Sequence, residues 1–110
     1  MNVKIIISKS LRNDIYKKFK KESLKIYNLI ETVRENPYKG KYLGKVSTLI
    51  IKELKYKNFR LYYLIDENKL ILFKKEEIEE LLVKFIALST KNDQQKTINK
   101  IKLILERINQ

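Results

Sequence analysis

The sequence contains no cysteine, no histidine and no tryptophan, a single proline and only two glycines. Without cysteine, neither a disulfide nor a thiolate metal site can hold the fold. Packing alone must do so, which points to the cytoplasm. The lack of both histidine and cysteine also excludes zinc motifs and histidine-based hydrolase triads. Gly40 and Gly44 sit in one loop, and neither belongs to a phosphate-cradling G-K-[ST] run. No apolar run is long enough to cross a bilayer: the longest clusters, at 49–51 and 85–88, are a few residues each. Val3 to Ile7 is interrupted by Lys4, and no small-residue cleavage site follows, so no signal peptide is expected. Repeats, linkers and low-complexity segments are missing too.

What is present fits one folded domain over 1–110, because 110 residues with 44% hydrophobic residues can close a single core. Charge is the strongest signal. Twenty-five Lys and Arg stand against 13 acids, a net charge of +12. Such an excess concentrates polyanions at the surface and steers them in. AT-rich codons also enrich lysine, isoleucine and asparagine, but here the acids do not balance the lysines, which favours a nucleic-acid partner. A membrane surface is disfavoured, since no segment joins a basic face to exposed Trp or Phe anchors. Glu76, Glu77, Glu79 and Glu80 cluster, but adjacent glutamates on a turn diverge, so no metal or other cofactor is expected.

Alternation of Val3, Ile5 and Ile7 predicts a strand over 3–8. Ser8 or Ser10 can cap a helix over about 9–20, marked by Leu11, Ile15 and Phe19. Leu24, Tyr27, Ile30 and Val33 mark a second helix over about 22–35, ended by Asn36-Pro37. With almost no linker, the two form a helical hairpin. Residues 37–47 read as the main loop, with Lys39, Lys41, Lys45, Tyr38 and Tyr42. Two β-rich runs, 48–56 and 59–66, join through Lys57-Asn58 as a hairpin. In the second, Leu61, Tyr63 and Ile65 share one face, expected to be core, and Arg60, Tyr62 and Leu64 the other. Lys69 to Phe73 can continue as a strand, 74–80 reads as a charged patch with a possible helical turn, and Leu81 to Leu88 reads as an apolar strand. Asn92-Asp93 caps a last helix with Ile98, Ile101, Leu105 and Ile108 in one stripe, which covers either its own sheet or a second copy in a homodimer. Helices set against an antiparallel-rich sheet define an α+β fold.

Three segments in this order resemble the RelE/ParE toxin superfamily, closest to its HigB-like branch. IETVRENPYKGKYLG (30–44) is similar to the junction where the second helix ends in E-N-P and enters a basic, Gly-containing loop. KELKYKNFRLYYLID (52–66) is similar to the central hairpin, E-L-R/K, a turn, then [YF]-R-[VIL]-x-Y. KFIALSTKNDQQKTINKIKLILERI (84–108) is similar to the final strand, Lys/Gln-Lys stretch and helix of the HigB-like branch. The resemblance implies the order β-α-α-β-β-β-α, with an apparent insertion near 67–80. It also implies a toxin of a toxin–antitoxin pair, a RelE-like endoribonuclease that cuts mRNA on the ribosome and is blocked by a cognate antitoxin. A ParE-like inhibitor of DNA gyrase, or a non-catalytic nucleic-acid-binding module, is the alternative on the same fold.

Cleavage of RNA by its own 2′-hydroxyl needs a proton acceptor, charge stabilisation at phosphorus and a proton for the leaving oxygen. With no histidine in the chain, packed cations must substitute. A lysine among other cations has its pKa lowered, and arginine grips phosphate with two prongs. Arg60 is the leading candidate: it is one of four arginines, lies within a strand and matches the arginine of the family run. Lys55 matches the basic position of E-L-R. Lys91 and Lys96 fall in the Lys/Gln-Lys stretch, and a cation in a first helical turn opposes the helix dipole, which favours a functional reason for Lys96. Lys52, Lys57, Lys39 and Lys41 are candidate RNA contacts, although alternation puts Lys52 and Lys55 on opposite faces. Tyr56 and Tyr62 are candidate base-stacking residues.

Overall fold

A computed structural model of the chain describes residues 3–88 and 91–109, and of residues 91–93 the backbone alone. The order is β1 (Lys4–Ile7), α1 (Lys9–Lys18), α2 (Ser23–Glu35), β2 (Lys41–Val46), β3 (Leu49–Tyr56), β4 (Phe59–Asp66), β5 (Lys69–Phe73), α3 (Lys75–Leu88) and α4 (Lys91–Ile108). Ser8 caps α1 by accepting from the Leu11 amide at 3.1 Å, which satisfies one of the free donors of the first turn. Leu11 and Ile15 bury one face of α1, and Ile26, Ile30 and Val33 one face of α2. The second helix stops at Asn36, as the following proline requires.

The strands form one sheet in the order β1-β5-β4-β3-β2, with β1 parallel to β5 and every other neighbour antiparallel. Two-residue turns link β2 through β5, and the first residue of each (Ser47, Lys57, Glu67) has φ between 53° and 56°. The helical hairpin covers one face over a core that includes Leu54, Leu61, Tyr63 and Leu72. Helices α3 and α4 cover the other, over Ile51, Tyr62, Leu64, Ile78, Leu82, Ile101 and Ile104. The protein is therefore α+β, with four helices and a five-stranded mixed sheet among the described residues. No helix among them is long and apolar enough to cross a membrane.

The order has one strand and one helix more than the expected β-α-α-β-β-β-α. The second half of the 37–47 loop is strand β2, bent by a bulge between Tyr42 and Gly44. The segment read as an insertion holds β5 and the first turns of α3. The strand expected over Leu81 to Leu88 lies wholly within α3. There Ile78 and Leu82 are buried and Leu81, Phe85 and Ile86 pack partly against them, a helical spacing that begins upstream of the apolar run. The stripe of α4 is spent on its own sheet: Ile101, Ile104 and Ile108 are buried there.

Candidate nucleic-acid interface

Register decides which side chains meet. Lys55 pairs with Arg60 and Glu53 with Tyr62 across β3 and β4, and Lys41 pairs with Glu53 across β2 and β3. Directly opposed residues point the same way, so all five lie on the face that α3 and α4 cover. The cover ends at the tail of α4. Tyr62 lies beneath it, while Arg60 and Lys55, one step nearer the hairpin turn, emerge half-exposed and exposed.

At this end a polar cleft of about 340 Å³ opens around Arg60. Its walls come from α1 (Asp14, Lys18), the hairpin (Asn58, Phe59), the β5–α3 junction (Lys74, Lys75, Glu76) and the tail of α4 (Ile108, Asn109), with Tyr62 beneath. Cations outnumber acids among these residues. The ion pairs among the described residues are Lys18–Asp14 at 3.8 Å, Arg34–Glu31 at 2.9 Å and Lys57–Glu22 at 2.7 Å, so Arg60 belongs to none. Its neighbour is the Tyr62 hydroxyl, whose pKa is pushed up to about 12. Burial is the main cause and the Glu53 carboxylate adds to it, while Arg60 offsets part of the rise. Tyr62 thus stays protonated at neutral pH. The Glu53 carboxylate is buried, and its Oε2 has no hydrogen-bond partner. The start of α3 is not a free anion site: Glu77 Oε1 accepts from the Lys74 amide at 3.2 Å and from the Ser8 hydroxyl at 2.6 Å.

The other expected site residues are scattered. Lys52 is a correction: it is 6% exposed, and its ammonium donates to the carbonyls of Tyr38 at 2.9 Å and Gly40 at 3.0 Å. Its charge is consumed in pinning the 37–40 loop, together with Tyr63, whose hydroxyl donates to Pro37 O and accepts from Gly40 N. Tyr62 is a second correction, being 1% exposed and out of reach of a base. Tyr56 packs edge-on against Phe19, with centroids 5.8 Å apart, on the face opposite Arg60. The Lys57 ammonium is held by Glu22, which keeps that carboxyl below its usual range and raises the lysine. Lys39 donates to Thr32 Oγ1 at 2.8 Å. Lys41 is exposed beside Glu53. Lys96 is exposed near the start of α4, and the twelve residues from it to Ile108 span roughly 18 Å of helix axis. It does not join Arg60. Lys91 begins the same helix, and its side chain lies outside the described residues.

The fold brings Lys18, Lys74 and Lys75 to Arg60 instead. No local motif marks them, because they come from segments more than fifty residues apart. Lys18 lies in the last turn of α1, where a cation suits the helix dipole, and Lys74 and Lys75 read as part of a charged patch. The chain matches no known protein family, no curated protein and no solved structure.

Proposed function

We propose that the Arg60 cleft holds the ribose-phosphate chain of RNA, and that the protein is a RelE-like endoribonuclease acting on ribosome-bound mRNA. The supporting observation is an arginine at the mouth of a cleft, with no carboxylate pairing it, among Lys18, Lys74 and Lys75. The guanidinium meets the Tyr62 hydroxyl and has further donors beyond that contact for a phosphate. On this reading Arg60 grips the scissile phosphate and stabilises its developing charge. Lys55, opposite it in register, adds a second cation beside that phosphate, and water takes the proton of the 2′-hydroxyl. Lys18, Lys74 and Lys75 hold flanking phosphates. The 2′-oxygen attacks phosphorus, the 5′-oxygen leaves with a proton from water, and a 2′,3′-cyclic phosphate remains. A cognate antitoxin with an acidic segment would fill the same cleft and silence it.

Cleavage of a message in a translating extract tests this. Wild type should cut, and Arg60→Ala should cut at least about 100-fold more slowly, the usual cost of losing a preorganised charge donor. Equal cutting by both removes Arg60 from the site. RNA binding by wild type without any cutting replaces the nuclease with a non-catalytic nucleic-acid-binding protein on the same surface.

A further inference from the structure

Beside the Arg60 cleft lies a second, open hollow of about 360 Å³, lined by Lys18, Phe19, Lys57, Asn58 and Phe59. The two depressions share Lys18, Asn58 and Phe59. Phe19 and Phe59 are half-buried and meet edge-to-face, with centroids 5.1 Å apart. The Lys18 ammonium stands over the Phe59 ring, 5.7 Å from its centroid. Its side chain is 60% exposed, and its one ion pair among the described residues, with Asp14, is long at 3.8 Å. Such an exposed pair is weak and releases its lysine readily.

We propose that this hollow is a nucleobase subsite, taking one unpaired base of the strand whose phosphate Arg60 holds. The subsite rests on the RNA reading above. An aromatic floor offers a π-face to any base. Asn58, at the turn, carries both a donor and an acceptor for a base edge. Lys18 can turn from the Phe59 face to the phosphate that links the two depressions. Lys57 adds less, since Glu22 holds its ammonium at 2.7 Å. A purely aliphatic ligand would desolvate the two ammonium groups without pairing them, whereas a nucleotide brings its own negative charge.

The test is the affinity of short single-stranded RNAs in which one base at a time is replaced by 2-aminopurine or removed. At one position 2-aminopurine fluorescence should be quenched by wild type, and the abasic strand should bind roughly 5- to 100-fold more weakly. Phe59→Leu should abolish the quench and lose the preference for a base, and Phe59→Tyr should restore both. Removing the base leaves the protein untouched, so the result stands whether or not a variant folds. Equal affinity for intact and abasic strands at every position overturns the subsite and leaves the phosphate grip standing. Tighter binding of an acidic, phenylalanine-containing peptide than of RNA overturns it in favour of a protein occupant. Failure of wild type to bind any strand removes the RNA reading itself.

Discussion

Lys52 and Lys55 stand three positions apart on β3 and have opposite fates, because successive side chains point to opposite faces of a sheet. Lys55 reaches solvent beside Arg60. Lys52 points to the face of the helical hairpin, where its ammonium donates to two carbonyls of the 37–40 loop. The opposition of the two lysines was legible from alternation. The burial of Lys52 was not, because a lysine in a strand is ordinarily a solvated charge and only the path of residues 37–40 supplies its acceptors. The same limit applies to Tyr62. Alternation placed it beside Arg60, but nothing local announced the two helices that cover it. Lys52→Met preserves the length of the side chain and leaves the Tyr38 and Gly40 carbonyls without that donor. It should therefore lower the stability by about 1–3 kcal/mol. A shifted urea midpoint, with RNA affinity unchanged at a temperature where the variant stays folded, is the expected outcome. A normal midpoint with weakened RNA binding would return Lys52 to the interface.

At the scale of elements, β3 and β4 are buried on both faces, and this governed what could be read. Residues 51–54 and 61–65 are buried without a break, including charged Lys52 and Glu53. The strands were still legible because a short turn joins them and β-branched or aromatic residues recur in both runs. The run 81–88 misled for a related reason: a continuous apolar stretch suits a buried strand or a buried helix equally, and Ile78, buried with Leu82 among the glutamates before it, settles the matter by extending the helical spacing upstream. Strand β2 was read as loop because it is short, bulged and holds Gly44. That glycine is where α4 closes onto the sheet: a Cβ there would run into the Ile104 side chain. Gly44→Ala should cost about 1–3 kcal/mol, as overpacking of a filled core does. The double variant Gly44→Ala, Ile104→Ala should lose less than the sum of the two single changes, since trimming Ile104 to its Cβ removes both atoms that the new methyl group would meet. Thermal or urea unfolding of the four proteins measures this coupling. Strict additivity would mean that α4 does not pack on β2 at this point.

For the whole molecule the question is whether a net charge of +12 acts everywhere or in one place. A diffuse cation binds RNA through all its lysines, and its affinity falls with salt in proportion to every phosphate neutralised. A cleft engages few. Each phosphate contact on a single strand contributes about −0.7 to the slope of log affinity against log salt. Lys18, Lys55, Arg60, Lys74 and Lys75 together therefore imply a slope of roughly −3.5. Engagement of the entire net charge would give roughly −8. The two cases also differ in which lysines matter. Replacing Lys74 and Lys75 by glutamine should flatten the slope by about 1.4 and weaken binding most at low salt. Replacing Lys69 and Lys96 removes the same charge from exposed positions far from Arg60. That change should leave the slope near its original value, apart from a small uniform loss of long-range steering. Filter binding or fluorescence anisotropy over a series of salt concentrations reads all three proteins. Equal flattening by both pairs would mean that the lysines act as a featureless coat, and the cleft around Arg60 would then have no special claim on the RNA.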